Sequence, residues 1–295
     1  MSATPPRRAL QQGMTLVELI LVMVIGAVLA ATLTVFLRPA IESFSAVRQR
    51  AELVDAADAA LRMMVRDVRS AVPNSIRSPD GNCFELVPSS SGGRFRRERD
   101  TTESPAACPA GCSAALDTSM ATSSFDVLSE LAATPAVGDY VVVNNQTGGD
   151  VYSGVNRSQI TQVGSAGSFG RLRLSINPQQ FSPGYDGARF VVVPAAEQAV
   201  FYVCSGADGT QDANGNGRGT LVRLRGYGFN AASPSVCPSK TAGELMATQV
   251  LSCRFVFDPN QGATQQSGFV TLQLSLARNG EVMTLNLGAH VRNVP

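Results

Sequence analysis

The sequence predicts an α+β protein in which one long N-terminal helix packs on a domain of antiparallel β-sheet. Three patterns indicate this fold class: a nearly unbroken apolar run over 14–37, apolar residues at spacings of three and four over 44–72, and period-two alternation beyond residue 139. The first two patterns are helical, and the third is typical of antiparallel strands. The 295 residues suffice for one large domain or two small ones.

The apolar run over 14–37 forms the first part of the helix and can cross a bilayer, which takes roughly 20 residues. A basic leader, 1–13, precedes it and contains Arg7 and Arg8 but no acidic residue. The only charge within the run is Glu18. A carboxylate at the centre of a membrane helix costs about 2.5–3.5 kcal/mol, and less near an end. Glu18 therefore either reaches the membrane interface or has a cationic partner within the apolar layer.

The second part of the helix, 38–72, is predicted to be amphipathic and to lie against the strand-rich part of the chain. Pro39 can kink the helix because it removes one backbone hydrogen bond. Asp58 interrupts the apolar stripe but is spaced to pair with Arg62. The helix is expected to end before Pro73. The residues of the predicted stripe are Phe44, Val47, Ala51, Val54, Asp58, Leu61, Val65, Val68 and Val72. The charged residues predicted for the other faces are Arg48, Arg50, Glu52, Asp55, Arg62, Arg66, Asp67 and Arg69.

The region beyond the helix, 73–295, is predicted to be one strand-rich domain that begins with an irregular stretch, 73–136. The basic run over 94–99 is interpreted as a solvated loop, with contact to an anion or a nucleic acid as the alternative. Residues 245–250 are expected to form a short helical or extended connector. Alternating segments bounded by Gly, Pro, Asn and Asp predict the strands. These segments are 139–144, 170–176, 188–193, 199–204, 220–225, 251–257, 268–276 and 281–287.

The cysteines indicate an oxidising compartment, because their number is even and all of them follow the apolar helix. Six cysteines allow fifteen full pairings, so the connectivity stays open. Cys108 and Cys112 can close a tight turn between them. A zinc site is disfavoured, since it needs four ligands at paired spacings. The candidate disulfide residues are Cys83, Cys108, Cys112, Cys204, Cys237 and Cys253.

The composition argues against an enzyme. The net charge is +1 and the chain has a single histidine, His290, although metal sites and general bases depend strongly on this residue type. His290 is interpreted as a structural residue. We expect no catalytic residues, no cofactor and no nucleic-acid partner.

A weak calcium candidate lies in the segment 212–217. Asp212, Asn214 and Asn216 supply oxygen atoms at alternate positions, as the first half of a calcium loop does. The twelfth position of such a loop requires Glu, and here it is Arg223. A glycine-rich hairpin tip is therefore the favoured interpretation, and metal binding is not expected.

The segment from Gly13 to Leu19, GMTLVEL, resembles the processing site of type IV prepilins and of type II secretion pseudopilins. An ordinary secretory signal fits poorly, because the small residue stands before the apolar run and not after it. The resemblance implies that a prepilin peptidase cleaves after Gly13 and methylates the amine of Met14, where the family more often has Phe. It also implies that Glu18 pairs with the N-terminal amine of a neighbouring subunit during assembly.

Longer stretches resemble the minor pilins of MSHA-type (mannose-sensitive haemagglutinin) pili, in the branch called MshO. They lie within 50–77, 82–85, 250–255 and 290–295, while the loop over 88–136 has none. This resemblance implies a lollipop-shaped minor pilin that initiates or caps a pilus. It would be anchored by one span in the inner membrane, with its C-terminal domain in the periplasm, and would then enter the pilus.

The partners implied by this family are the prepilin peptidase, the inner-membrane assembly platform, other major and minor pilins, and the membrane before assembly. Two alternatives stay open. The protein can be a minor pseudopilin of a type II secretion system, or a tip adhesin that contacts a surface through its loops at 88–136 or 206–218.

Overall fold

The computed structural model describes residues 14–104, 106, 108, 112–184, 187–239, 243–259 and 267–292. The chain divides into two compact units, residues 1–51 and 52–295. Helix α1 spans Leu16–Arg69 and contains Pro39, so it contributes its first turns to one unit and its last turns to the other. A long N-terminal apolar helix followed by antiparallel sheets agrees with the predicted α+β class.

The second unit contains thirteen strands among its described residues, together with a short helix α2 (Asp150–Ser153). The strands are β1 (Arg77–Asp80), β2 (Cys83–Leu86), β3 (Ser91–Arg94), β4 (Thr122–Val127), β5 (Tyr140–Val143), β6 (Arg157–Gly164), β7 (Leu172–Gln179), β8 (Arg189–Val193), β9 (Val200–Ser205), β10 (Gly219–Leu224), β11 (Glu244–Asp258), β12 (Ser267–Arg278) and β13 (Glu281–Arg292).

The first sheet has seven strands in the order β1-β2-β9-β10-β11-β12-β13, and neighbouring strands are antiparallel. One face packs against the last turns of α1, so that Leu61 and Met64 are fully buried. The predicted helical stripe was partly wrong. Its first residues, Phe44, Val47 and Ala51, are exposed, and Val54, Asp58 and Val65 are only half-buried. The buried residues of α1 are Leu53, Ala57, Ala60, Leu61, Met64, Asp67 and Val68.

The second sheet has six strands in the order β3-β8-β5-β6-β7-β4. Phe95, which follows β3, forms an antiparallel bridge with Val127 at the end of β4. Next to it, the backbone N–H of Leu128 donates to the carbonyl of Arg94 at 2.9 Å. The two outer strands therefore meet, and the sheet closes into a small barrel around buried Phe125 and Phe190. Closure leaves fewer unpaired backbone groups at the sheet edges.

The prediction that 73–136 is irregular was wrong, since this stretch contributes β1 to β4. Strand β3 gave no alternating signal because two of its four residues are glycines. The solvated-loop interpretation of 94–99 was also wrong at its start. Phe95 is only 4% exposed, and Arg96 bonds the carbonyl of Phe169 at 2.6 Å and lies 3.0 Å from Asp100. Strand β6 was not predicted, and residues 245–250 belong to β11.

The six cysteines form three disulfides, which confirms the prediction from their number. Cys83–Cys237 connects β2 to the loop after β10, and Cys204–Cys253 links β9 to β11. Cys108–Cys112 closes the predicted tight turn. The first two bridges join segments separated by 154 and 49 residues, so they restrain the unfolded chain over long loops.

Candidate assembly site on the N-terminal helix

The start of α1 is organised by Thr15. The backbone N–H of Glu18 donates to the Thr15 side-chain oxygen at 3.3 Å, and the N–H of Leu19 donates to the Thr15 carbonyl at 3.1 Å. A threonine in this position caps a helix, because it satisfies a backbone donor that has no partner within the helix. Glu18 then lies in the first turn, where the helix dipole favours a negative charge.

The side chain of Glu18 is exposed, and its carboxylate forms no ion pair with any residue that the structure describes. Met14 is likewise 61% exposed. Gly13, the residue of the predicted cleavage site, lies outside the described residues together with the rest of the leader. The described chain therefore places Met14 and Glu18 one helical turn apart, at the start of the same apolar helix.

The apolar side chains of this half of α1 do not form a core within the chain. Leu21, Val28 and Leu33 are each more than half exposed. Among the described residues, α1 is by length and composition able to cross a membrane. Its most apolar stretch is not buried inside the protein. So many exposed aliphatic groups require an apolar environment outside the chain, either lipid or other subunits.

The other end of α1 contains a buried charge that the sequence reasoning placed on an exposed face. Asp67 is 6% exposed and accepts hydrogen bonds from the Tyr202 hydroxyl at 2.7 Å and from Arg223 at 2.9 and 3.0 Å. Arg223 also contacts Glu197 at 2.6 Å. Burial, followed by the nearby charge of Asp67, raises the pKa of Tyr202 above its ordinary value. This cluster fixes the last turns of α1 to β9 and β10.

Helical spacing alone could not show that Asp67 is buried and paired, because its partners are 135 and 156 residues away in sequence. Arg223 is the twelfth residue of a loop counted from Asp212 as the first, where its charge opposes calcium. Its actual role is to neutralise Asp67. The predicted pair of Asp58 and Arg62 is confirmed at 2.5 Å, on the exposed side of the helix.

The weak calcium candidate forms a tightly bonded turn. One carboxylate oxygen of Asp212 accepts the backbone N–H groups of Asn214 and Asn216, each at 2.8 Å. The side-chain oxygen of Asn216 accepts the N–H of Asn279 at 3.0 Å, and the N–H of Gly280 donates to Gly215 at 2.9 Å. The hydrogen bonds that Asp212 accepts from Asn216, and next from Asn214, lower the pKa of its carboxyl group. The turn is thus held against the β12–β13 connection by protein donors.

Two other places contain residue types that can bind a metal: the cysteines near Asp80, and His290. Asp80, Cys83 and Cys237 lie within 4.8 Å of one another, but both sulfur atoms belong to a disulfide and are not free thiolates. His290 is exposed on β13, with its ring 4.9 Å from that of Phe269 in an edge-to-face contact.

Comparison with known proteins supports the N-terminal assignment. The family model for the prokaryotic N-terminal methylation motif matches residues 8–34, which include the end of the leader, Gly13, Met14 and Glu18. The match supports the prepilin and pseudopilin family, and this motif implies processing by a prepilin peptidase and assembly with other pilins. No curated protein and no solved structure matches the chain.

Proposed function

We propose that the protein is a minor pilin of the MSHA type, in the MshO branch, which initiates or caps a pilus. The observation that carries the assembly role is the carboxylate of Glu18, which has no ionic partner among the described residues and lies on an exposed apolar helix that begins within the methylation motif. The branch assignment rests on the sequence resemblance. On this proposal the protein acts in assembly and not as an enzyme, and neither a cofactor nor a metal is needed.

The chemistry of assembly follows from two charges that are each costly in an apolar layer. Cleavage after Gly13 would create a cationic amine at Met14, and methylation would leave it basic. Glu18 of one subunit and the amine of its neighbour would neutralise each other where water is scarce. Loss of one partner would leave the other charge buried and unpaired, which commonly costs about 3–5 kcal/mol. We therefore propose that a subunit needs the Glu18 carboxylate to join the filament.

The second unit supports a minor role. It holds a seven-stranded sheet, a closed six-stranded sheet and three disulfides, a large domain for a subunit that would repeat along a fibre. The disulfides also suit an oxidising compartment such as the periplasm. We propose that the protein is held in the inner membrane by the apolar half of α1, with this domain in the periplasm, before it enters the pilus near its tip.

A Glu18→Gln variant tests the assembly role, with Glu52→Gln as the matched control on the same helix. Glu52 lies 3.0 Å from Arg278 and belongs to the second unit. We expect both variants to be membrane-inserted and processed, but the Glu18→Gln protein to be absent from sheared filaments. Normal amounts of it in the filament fraction would contradict the proposal.

Mass spectrometry of the mature protein tests the processing step separately. The expected N-terminal residue is N-methylated Met14, and an N-terminus still at Met1 would overturn the assignment. The filament that takes up the protein distinguishes the remaining alternatives. Recovery with a secretion pseudopilus would favour the type II secretion system. Normal pilus number with lost attachment in variants of the 88–136 or 206–218 loops would favour a tip adhesin.

A further inference from the structure

A cleft lies in the second unit, where the end of α1 meets β3, the first strand of the barrel. Its volume is about 350 Å³, within the range of sites that bind small molecules. The walls come from the last turn of α1 and the residues after it, from β3, and from β8. Gly92 and Gly93 contribute only backbone to its lining.

Three arginines line this cleft: Arg69 from α1, Arg94 from β3 and Arg189 from β8. All three are exposed, and none forms an ion pair with a described residue. Several other arginines of the second unit do have carboxylate partners. The pairs are Arg77–Glu85, Arg96–Asp126, Arg173–Asp126, Arg223–Asp67 and Arg278–Glu52.

The strand register makes this arrangement costly in the absence of an anion. Arg94 and Arg189 are direct cross-strand partners in the antiparallel β3–β8 pair. Side chains opposite each other start about 4.5–5.5 Å apart, and like charges in these positions destabilise a sheet. Arg69 can be explained by itself, since a cation in the last turn of a helix is favourable. The facing pair on β3 and β8 has no such explanation.

We propose that the cleft binds a phosphate or sulfate group of a small ligand. A guanidinium group presents a planar fork of donors that suits oxyanions, and such charge-assisted hydrogen bonds are stronger than neutral ones. Three arginines match a group with at least three acceptor oxygens better than a carboxylate, which has two. An anion between Arg94 and Arg189 would also convert their repulsion into attraction. The site is separate from Glu18 and does not depend on filament assembly.

Calorimetric titration of the full-length protein in a non-ionic detergent, with inorganic phosphate as the probe, tests the site. Arg94→Gln and Arg189→Gln remove one member each of the facing pair. Arg171→Gln is the matched control, because Arg171 is an exposed arginine that contacts Glu130 at 3.3 Å outside the cleft. Sulfate and acetate are compared at constant ionic strength.

The wild type and Arg171→Gln are expected to bind phosphate and sulfate equally well, and acetate more weakly. Each cleft variant should bind phosphate at least about tenfold more weakly, as expected for the loss of a charge-assisted contact. Equal weakening in all three variants would show a general ionic effect and overturn the proposal, as would acetate binding equal to phosphate binding or no phosphate binding by the wild type.

Thermal unfolding distinguishes phosphate binding by Arg94 from a purely structural role of this residue. Without phosphate and at low salt, Arg94→Gln should melt at the same temperature as the wild type or higher, because the repulsion is relieved. With phosphate, the wild type should gain thermal stability and the variant should not. A variant that melts lower without phosphate and gains as much from it as the wild type would overturn the proposal.

Discussion

The two halves of α1 contain similar side chains in opposite surroundings. Leu33 in the first half is 57% exposed, whereas Leu61 in the second half is fully buried against the first sheet. Glu18 has no ionic partner among the described residues, whereas Asp67 is neutralised by Arg223 at 2.9 Å. The last turns of α1, from Leu53 on, are thus satisfied within their own domain. The turns before them, in which Phe44 and Val47 are also exposed, leave both apolar surface and the charge of Glu18 to be satisfied from outside.

One helix can thus both pack within a domain and bind a partner. A domain holds its own element by burying apolar area and by pairing every buried charge. A segment that binds a partner leaves apolar side chains exposed and charges unpaired within its own chain. Substitutions in the second half should therefore change the stability of the domain, and those in the first half should change only association.

The largest expected effect is that of Asp67→Ala. Removing this carboxylate leaves Arg223 buried with Glu197 as its remaining acid, and breaking a buried pair costs about 3–5 kcal/mol. Urea unfolding of the detergent-solubilised protein, followed by circular dichroism, measures the loss. Asp58→Ala is the control, since its pair with the exposed Arg62 is screened by solvent and should contribute little to stability. Equal effects of the two variants would remove the distinction between the buried and exposed acids of α1.

Leu61→Ala should come next, with a loss of about 2–5 kcal/mol in the free energy of unfolding. The cost combines lost apolar burial with a cavity between α1 and the sheet. Leu33→Ala makes the same chemical change in the first half, and it should alter the unfolding of the domain by less than about 0.5 kcal/mol. The same urea titration measures both, and a large effect of Leu33→Ala would mean that the domain does bury the first half.

A smaller effect is expected from alkaline pH. Because the pKa of Tyr202 is raised in the folded state, its contribution to stability is complete below the ordinary tyrosine pKa of about 10. It is lost as the pH rises further, since the unfolded chain then releases the proton more readily. The urea midpoint should fall from pH 9 to pH 11, and less steeply in Tyr202→Phe. Tyr152 and Tyr227, whose pKa values are also raised, should account for the remaining slope.

The smallest effect on domain stability is expected for Glu18→Gln, within about 0.5 kcal/mol of the wild type. Its carboxylate is exposed and lies in the unit that does not contain the sheets. The variant should nevertheless fail in filament assembly, as proposed above. A domain destabilised by this change would mean that Glu18 acts through folding and not through a neighbouring subunit.

Local sequence patterns predicted helices and strands where the apolar residues of a segment recur at one dominant spacing. The apolar run around Leu21 and Val28 predicted an apolar helix that can cross a bilayer, and alternation predicted strands such as β7, β12 and β13. Short strands rich in glycine or polar residues gave no such signal. Strand β3 was missed because Gly92 and Gly93 erase the alternation, and its place is decided by pairing with β8.

The candidate sites divide in the same way. The residues at Gly13, Met14 and Glu18 form a continuous motif, so the sequence alone could mark them. The cluster around Asp67 and the arginine cleft draw on segments far apart in the chain. Arg94 and Arg189 become neighbours only through strand register, and Asp67 meets Arg223 only through the packing of α1 on the sheet.

The sequence by itself determined the α+β class, the apolar N-terminal helix with its single carboxylate, the prepilin-type motif and the presence of disulfides. These features depend on local composition and spacing, which are complete within one segment. Tertiary structure alone decided which face of the helix is buried, how the four cysteines other than Cys108 and Cys112 pair, and which arginines contact a carboxylate. It also decided that the second sheet closes through Phe95 and Val127. Burial and ionic pairing depend on distances between remote segments, and those distances exist only once the chain has folded.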